Sequence, residues 1–174
     1  MFKSWLVSNI TFLFILLFLV FSLVFQIPDE EEDSVVSFVM LFGACLFVHF
    51  FLATIADISG VGSILIFLLA IATIIGLFSW RNKIAVASNI DSVWLTVYLI
   101  AGVIVSVLVG IYAFINFDDV VSSRWLYRNS PVAVYEEEWL YAINRCAVTL
   151  SGFLTMAVVY WVLIMILKEA QTLA

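Results

Sequence analysis

From Ser34 to Trp80 the chain carries a single acid, Asp57, and no other Asp, Glu, Lys or Arg. A continuous helix over that stretch would be about 70 Å long at ~1.5 Å per residue, against a hydrocarbon core of about 30 Å. The run must therefore turn back once. The one polar, flexible place for the turn is "ADISG", residues 56–60. Asp57 and Ser59 are suited to cap the N-terminus of the following helix, where a carboxylate favours free N–H groups and the dipole. Gly60 permits a tight backbone turn. This reading puts Asp57 at a membrane surface; the alternative makes it a carboxylate facing a buried water path.

Composition supports a membrane as the solvent. Of the 174 residues 66% are hydrophobic and 11% charged, and the mean hydropathy is +1.21. A soluble domain carries roughly 25% charged residues. Windows free of Asp, Glu, Lys and Arg run over 4–28, 34–56, 58–80, 92–117 and 146–167. Each exceeds the ~20 residues a crossing helix needs. The expected fold is therefore all-α: one polytopic membrane domain over 1–174 with five transmembrane helices. An acidic loop, "DEEED" at 29–33, joins the first two, and a long surface loop at 118–145 precedes the last. The aromatics Trp125, Tyr127, Tyr135, Trp139 and Tyr141 in that loop suit an interfacial belt. The first window is too long for a signal-peptide core and lacks a small-residue cleavage site, so it reads as a retained helix.

The basic residues leave orientation open. Lys3, Arg124, Arg128 and Arg145 fall on one side, and Arg81, Lys83 and Lys168 on the other. Cys45 and Cys146 lie in separate apolar windows without metal-ligand spacing and read as buried free thiols. "NIT" at 9–11 matches a glycosylation sequon but sits inside an apolar window.

Helices in lipid associate through small residues that let backbones approach. Gly102, Ser106 and Gly110 form one such stripe, and Ala147, Ser151 and Thr155 a second. Shorter pairs are Ser59 with Ser63 and Ala72 with Gly76. These stripes indicate helix packing and say nothing of chemistry. The catalytic inventory is thin: there is no CxxC, HExxH, GxxxxGK or GxGxxG, and His49 is the one histidine. His49 admits two readings, a proton relay or a neutral ring hydrogen-bonded to another helix.

The stretch "DISGVGSILIFLLAIATIIGLF" resembles the third helix of subunit 6 of mitochondrial NADH:ubiquinone oxidoreductase, respiratory complex I, and its bacterial counterpart. Asp57 and Gly60 fall at that family's polar break, Ile64 and Leu65 at its Ile-Leu pair, and Ala70 and Ile71 at its Ala-Ile pair. Phe67 stands where the family has Tyr, and Leu69 where it has Gly. Val134 and Tyr135 resemble the Leu-Tyr before its fifth helix. The resemblance implies a non-redox subunit that helps couple quinone reduction to proton translocation. Its third helix would be a conformational switch centred on Phe67, Leu69 and Ala70. Asp57 and His49 are proton-path candidates on their own chemistry, apart from the resemblance. The resemblance implies no cofactor bound by this chain; NADH, FMN, iron–sulfur clusters and ubiquinone would belong to other subunits. Partners would be other membrane subunits and lipids, not nucleic acid. The location would be the mitochondrial inner membrane, or alternatively a bacterial plasma membrane. The same residues also fit a structural accessory subunit of another respiratory-chain or ATP synthase complex. A lone transporter or channel, or a membrane-embedded enzyme, lacks the intramembrane polar groups expected of it. The complex I reading makes one structural demand: the third helix should be irregular near Phe67 to Ala70 and packed against a neighbour.

Overall fold

A computed structural model describes the backbone of residues 1–24, 32–88, 92–123 and 137–158, with side chains except those of 18–24, 32–42, 87 and 88. The described residues are all-helical. In chain order the helices are α1 (Phe2–Ser8), α2 (Ile10–Val24), α3 (Glu32–Ile58), α4 (Gly60–Ser88), α5 (Ser92–Ile115), α6 (Phe117–Ser122) and α7 (Glu138–Thr155). Two of them are long and apolar enough to cross a membrane, Gly60–Val86 and Ser92–Ile115.

The hairpin of α3 and α4 turns at Ser59, as the length of the apolar run demands. Ser59 Oγ accepts the Gly62 N–H at 3.0 Å, so Ser59 caps α4. Asp57 does not cap it. It belongs to the last turn of α3, is only 3% exposed, and points into the bundle. Gly62 is required by close approach, because an added Cβ would overlap the Ile55 carbonyl oxygen across the turn. The tightness of the turn thus excludes any side chain there.

Several boundaries differ from the charge-free windows. The first window is broken at Asn9, between α1 and α2. The Asn9 amide donates to Trp5 O at 2.9 Å, which also accepts the Asn9 backbone N–H at 3.0 Å, and to Ser123 O at 3.1 Å, just past the end of α6. Helix α3 begins at Glu32, inside the acidic stretch, and α4 continues through Arg81 and Lys83 to Ser88. Arg81 and Lys83 are exposed, and exposed charges do not end a helix. Helix α5 stops at Ile115 and the chain turns into the short α6. The last helix begins at Glu138 rather than 146, so Arg145 is helical and not in a loop. Residues 29–31 of the acidic loop, 124–136 of the long loop and 159–167 of the last window lie outside the described residues.

Helix α7 is the centre of the bundle, packing against α2, α3, α4 and α5. Every residue from Asn144 to Gly152 on it is buried. Gly102, Ser106 and Gly110 of α5 are buried too, with Gly102 against the Phe153 ring and Gly110 against Ala142 O and Cys146. Ala147, Ser151 and Thr155 on α7 are likewise buried. Gly152 lies under the Phe14 ring of α2, and Phe14 also meets Phe153 edge to face at 5.6 Å. The outer faces of α4 and α5 are apolar and exposed, among them Leu65, Leu68, Ile75, Ile104, Leu108 and Ile111.

Candidate functional site

The α3–α4 turn leaves the last carbonyls of α3 without intrahelical donors, and inside a bundle such groups need partners from the protein itself. Helix α7 supplies the donors. Asn144 Nδ2 donates to Ala56 O at 2.8 Å and contacts Asp57 Oδ1 and Ser63 Oγ, both at 3.1 Å. Ser63 Oγ, one turn into α4, also donates to Ala56 O at 2.8 Å. Beside it Arg145 Nη2 forms an ion pair with Asp57 Oδ1. The guanidinium is further held by Asn144 Oδ1, which accepts from Nε at 2.7 Å, and by Ser8 O, which accepts from Nη1 at 3.1 Å. The Tyr141 ring lies 5.1 Å from Arg145 Cζ.

This arrangement is electrostatically coherent. A carboxylate in the last turn of a helix sits at the negative end of its dipole, an unfavourable place alone. A cation there is favourable, and Arg145 also meets the terminal carbonyl of α1. One guanidinium therefore ties together α1, α3 and α7, and Asn144 adds α4. Arg145 is 1% exposed and Asn144 fully buried. Such pairing is what a buried charge requires.

His49 is not part of this cluster. It lies two turns earlier on α3, on the order of 12 Å along the axis from Asp57 at the helical rise. Its ring is fully buried and stands edge-on to Phe14 at 5.0 Å. Phe67 is partly buried against the cluster around Ile66 and Ala53; Leu69 is 53% exposed and Ala70 is buried against α7. Helix α4 runs as regular α-helix through all three. The irregularity demanded of the third helix is absent there. A π turn occurs instead on the last helix, at residues 156–158, directly after α7. The Tyr98 hydroxyl of α5 donates to Phe153 O just before it, at 3.0 Å.

Beside that turn α3, α4 and α7 leave a cleft of about 150 Å³ between them. Val48, Leu52, Ile66, Leu69, Leu154 and Val158 line it, with Thr73, Ser151 and Thr155. The hydroxyls of those three donate to carbonyls of their own helices. Among the described residues no titratable side chain lines the cleft. Nor, among them, could any group of three His, Cys, Asp or Glu hold a metal ion. Cys45 and Cys146 are free and buried.

Known protein families, characterised proteins and solved structures were compared with this chain. None matches it.

The sequence reading missed Arg145 and Asn144 as site residues. A signal existed: two solitary opposite charges, Asp57 and Arg145, each abut a long apolar run. Counting Arg145 as the end of a loop hid it.

Proposed function

We propose that this chain is a five-span membrane protein acting as a structural, non-redox subunit of a larger membrane complex. The observation that carries the reading is the closed interior. The strong polar groups, Asp57, Arg145, Asn144 and Ser63, are spent on one another at one end of the bundle. The cleft in the middle offers, among the described residues, no charge for catalysis or transport. Exposed tryptophans support the membrane placement: Trp80 and Trp94 at one end, Trp139 at the other. Gly60 lies against Leu140 beside Trp139, and the stretch of α4 from Gly60 to Trp80 spans about 30 Å, the hydrocarbon thickness. On this placement α4 and α5 are two of the five spans.

The narrower form of this proposal is membership of proton-pumping NADH:ubiquinone oxidoreductase. It rests on the residues around Asp57, Gly60 and Ala70 that resemble that family. A regular α4 gives a switch at Phe67 and Leu69 no support, so the general form is the better one.

The test is mass spectrometry of the native complex, extracted in mild detergent and purified through this chain. Other membrane subunits at fixed stoichiometry support the proposal, and flavin- and iron–sulfur-containing partners with NADH:quinone activity support its narrower form. Recovery of the chain alone overturns both.

A further inference from the structure

We infer that α1 is a strap that opens and closes over the polar cluster around the Asp57–Arg145 pair. The cluster lies at one end of the bundle, where Gly60 meets Leu140, and α1 covers it through Ser8. Ser8, the last residue of α1, gives its carbonyl to Arg145 Nη1, and Val7 packs with Val109, Ala113, Val120 and Tyr141 beneath it. The break at Asn9 separates this cover from α2, so α1 can swing without unwinding the longer helix.

Two independent observations mark the break as a place that water would favour. Ser8 Oγ and Thr11 Oγ1 stand on either side of Asn9, 4% and 6% exposed, and neither has a hydrogen-bond partner among the described residues. Buried hydroxyls with unmet hydrogen bonds are rare and call for an explanation. Hydration of both hydroxyls on opening offsets the packing that α1 gives up. The second observation is the kind of tether that holds α1 shut. Ser4 Oγ meets Tyr112 Oη at 3.1 Å, and the Asn9 amide reaches Ser123 O at 3.1 Å. These two are neutral hydrogen bonds, individually weak; the third, from Arg145 Nη1 to Ser8 O, is charge-assisted and is exchanged for water on opening, while the pair beneath is ionic. Opening therefore releases α1 while Asp57 and Arg145 remain bound to each other. Local openings of this sort are drawn from segments with few deep apolar contacts. On α1 the side chains of Phe2 and Lys3 are exposed, as is Met1 before them, and Ser4, Val7 and Ser8 are the buried ones.

The experiment is thiol labelling of the full chain in lipid nanodiscs with a water-soluble maleimide. One protein carries Thr11→Cys with Cys45→Ala and Cys146→Ala; a parallel control retains Cys45 as its one thiol. Position 11 should label slowly. Ser4→Ala and Asn9→Ala should each speed it roughly fivefold to tenfold, the effect expected of removing one hydrogen bond. Cys45, 1% exposed in the middle of the bundle, should stay unlabelled throughout. The inference is overturned if labelling at position 11 does not respond to the tethers. It is equally overturned if position 11 and Cys45 speed up together, because the opening is then global.

Discussion

Arg145 and Asp57, 88 residues apart, meet as a buried ion pair between the second turn of α7 and the last turn of α3. Removing one partner leaves the other charged, buried and unpaired, at a cost of about 3–5 kcal/mol. Asp57→Leu and Arg145→Leu should each destabilise the protein by about that amount. The double variant should cost less than either single one, because no orphan charge remains. Unfolding in detergent followed by circular dichroism measures all three. Additive losses in the double variant would show that the pair carries no coupling.

Asn144 joins three elements through one amide, so its removal should be felt beyond its own neighbours. Asn144→Leu removes donors to Ala56 O and Asp57 and the acceptor for Arg145 Nε. An unsatisfied buried group costs about 1–3 kcal/mol. A destabilisation in that range is expected in the same unfolding measurement. In an Arg145→Leu background it should shrink, since the Nε donor is then gone.

How legible this was in the sequence varies with the kind of signal. Charge-free length forced a turn near residues 56–60, and the hairpin turns at Ser59. Small residues at i, i+4, i+8 on α5 lie where it meets α7, and those on α7 are buried toward α2, α3 and α4. Hydropathy could not place Asp57, since a lone acid beside a turn reads equally as a surface cap or a buried group. What decides between them is a partner 88 residues away, and no local pattern encodes that distance. The break at Asn9 was hidden for the converse reason. The residues around it are apolar or small, and the amide that reaches from it to Ser123 O is a single side chain. Charged residues misled at the helix ends, because a charge on an exposed face does not interrupt a helix.

The hydrogen bond from Tyr98 to Phe153 O bears on the π turn that follows. Tyr98→Phe keeps the ring packing on Phe153, at 5.6 Å between centroids, and removes one interhelical hydrogen bond. Such bonds within membranes average about 0.6 kcal/mol and reach about 1.7. A destabilisation within that range is expected on unfolding in detergent. A markedly larger one would mean that the hydroxyl sets the geometry of the turn itself.

Two glycines of α4 give opposite expectations from one substitution. At Gly62 a methyl group would overlap the backbone oxygen of Ile55, which cannot rotate away as a side chain would. Gly62→Ala must therefore pry the α3–α4 turn apart, disturbing Ala56 O, Asp57 and the donors gathered on them. Overpacking alone costs about 1–3 kcal/mol, and the cluster beside the turn adds to it. At Gly76 nothing lies within 4 Å of an added Cβ. Gly76→Ala should be neutral or stabilising by up to about 1 kcal/mol, through the reduced freedom of the unfolded chain. Measured side by side in detergent, the two variants separate the contribution of the turn from general helix propensity. If Gly62→Ala proved as harmless as Gly76→Ala, the tight approach at Ser59 would be wrong. The placement of Asp57 beneath Arg145 would then lose its foundation.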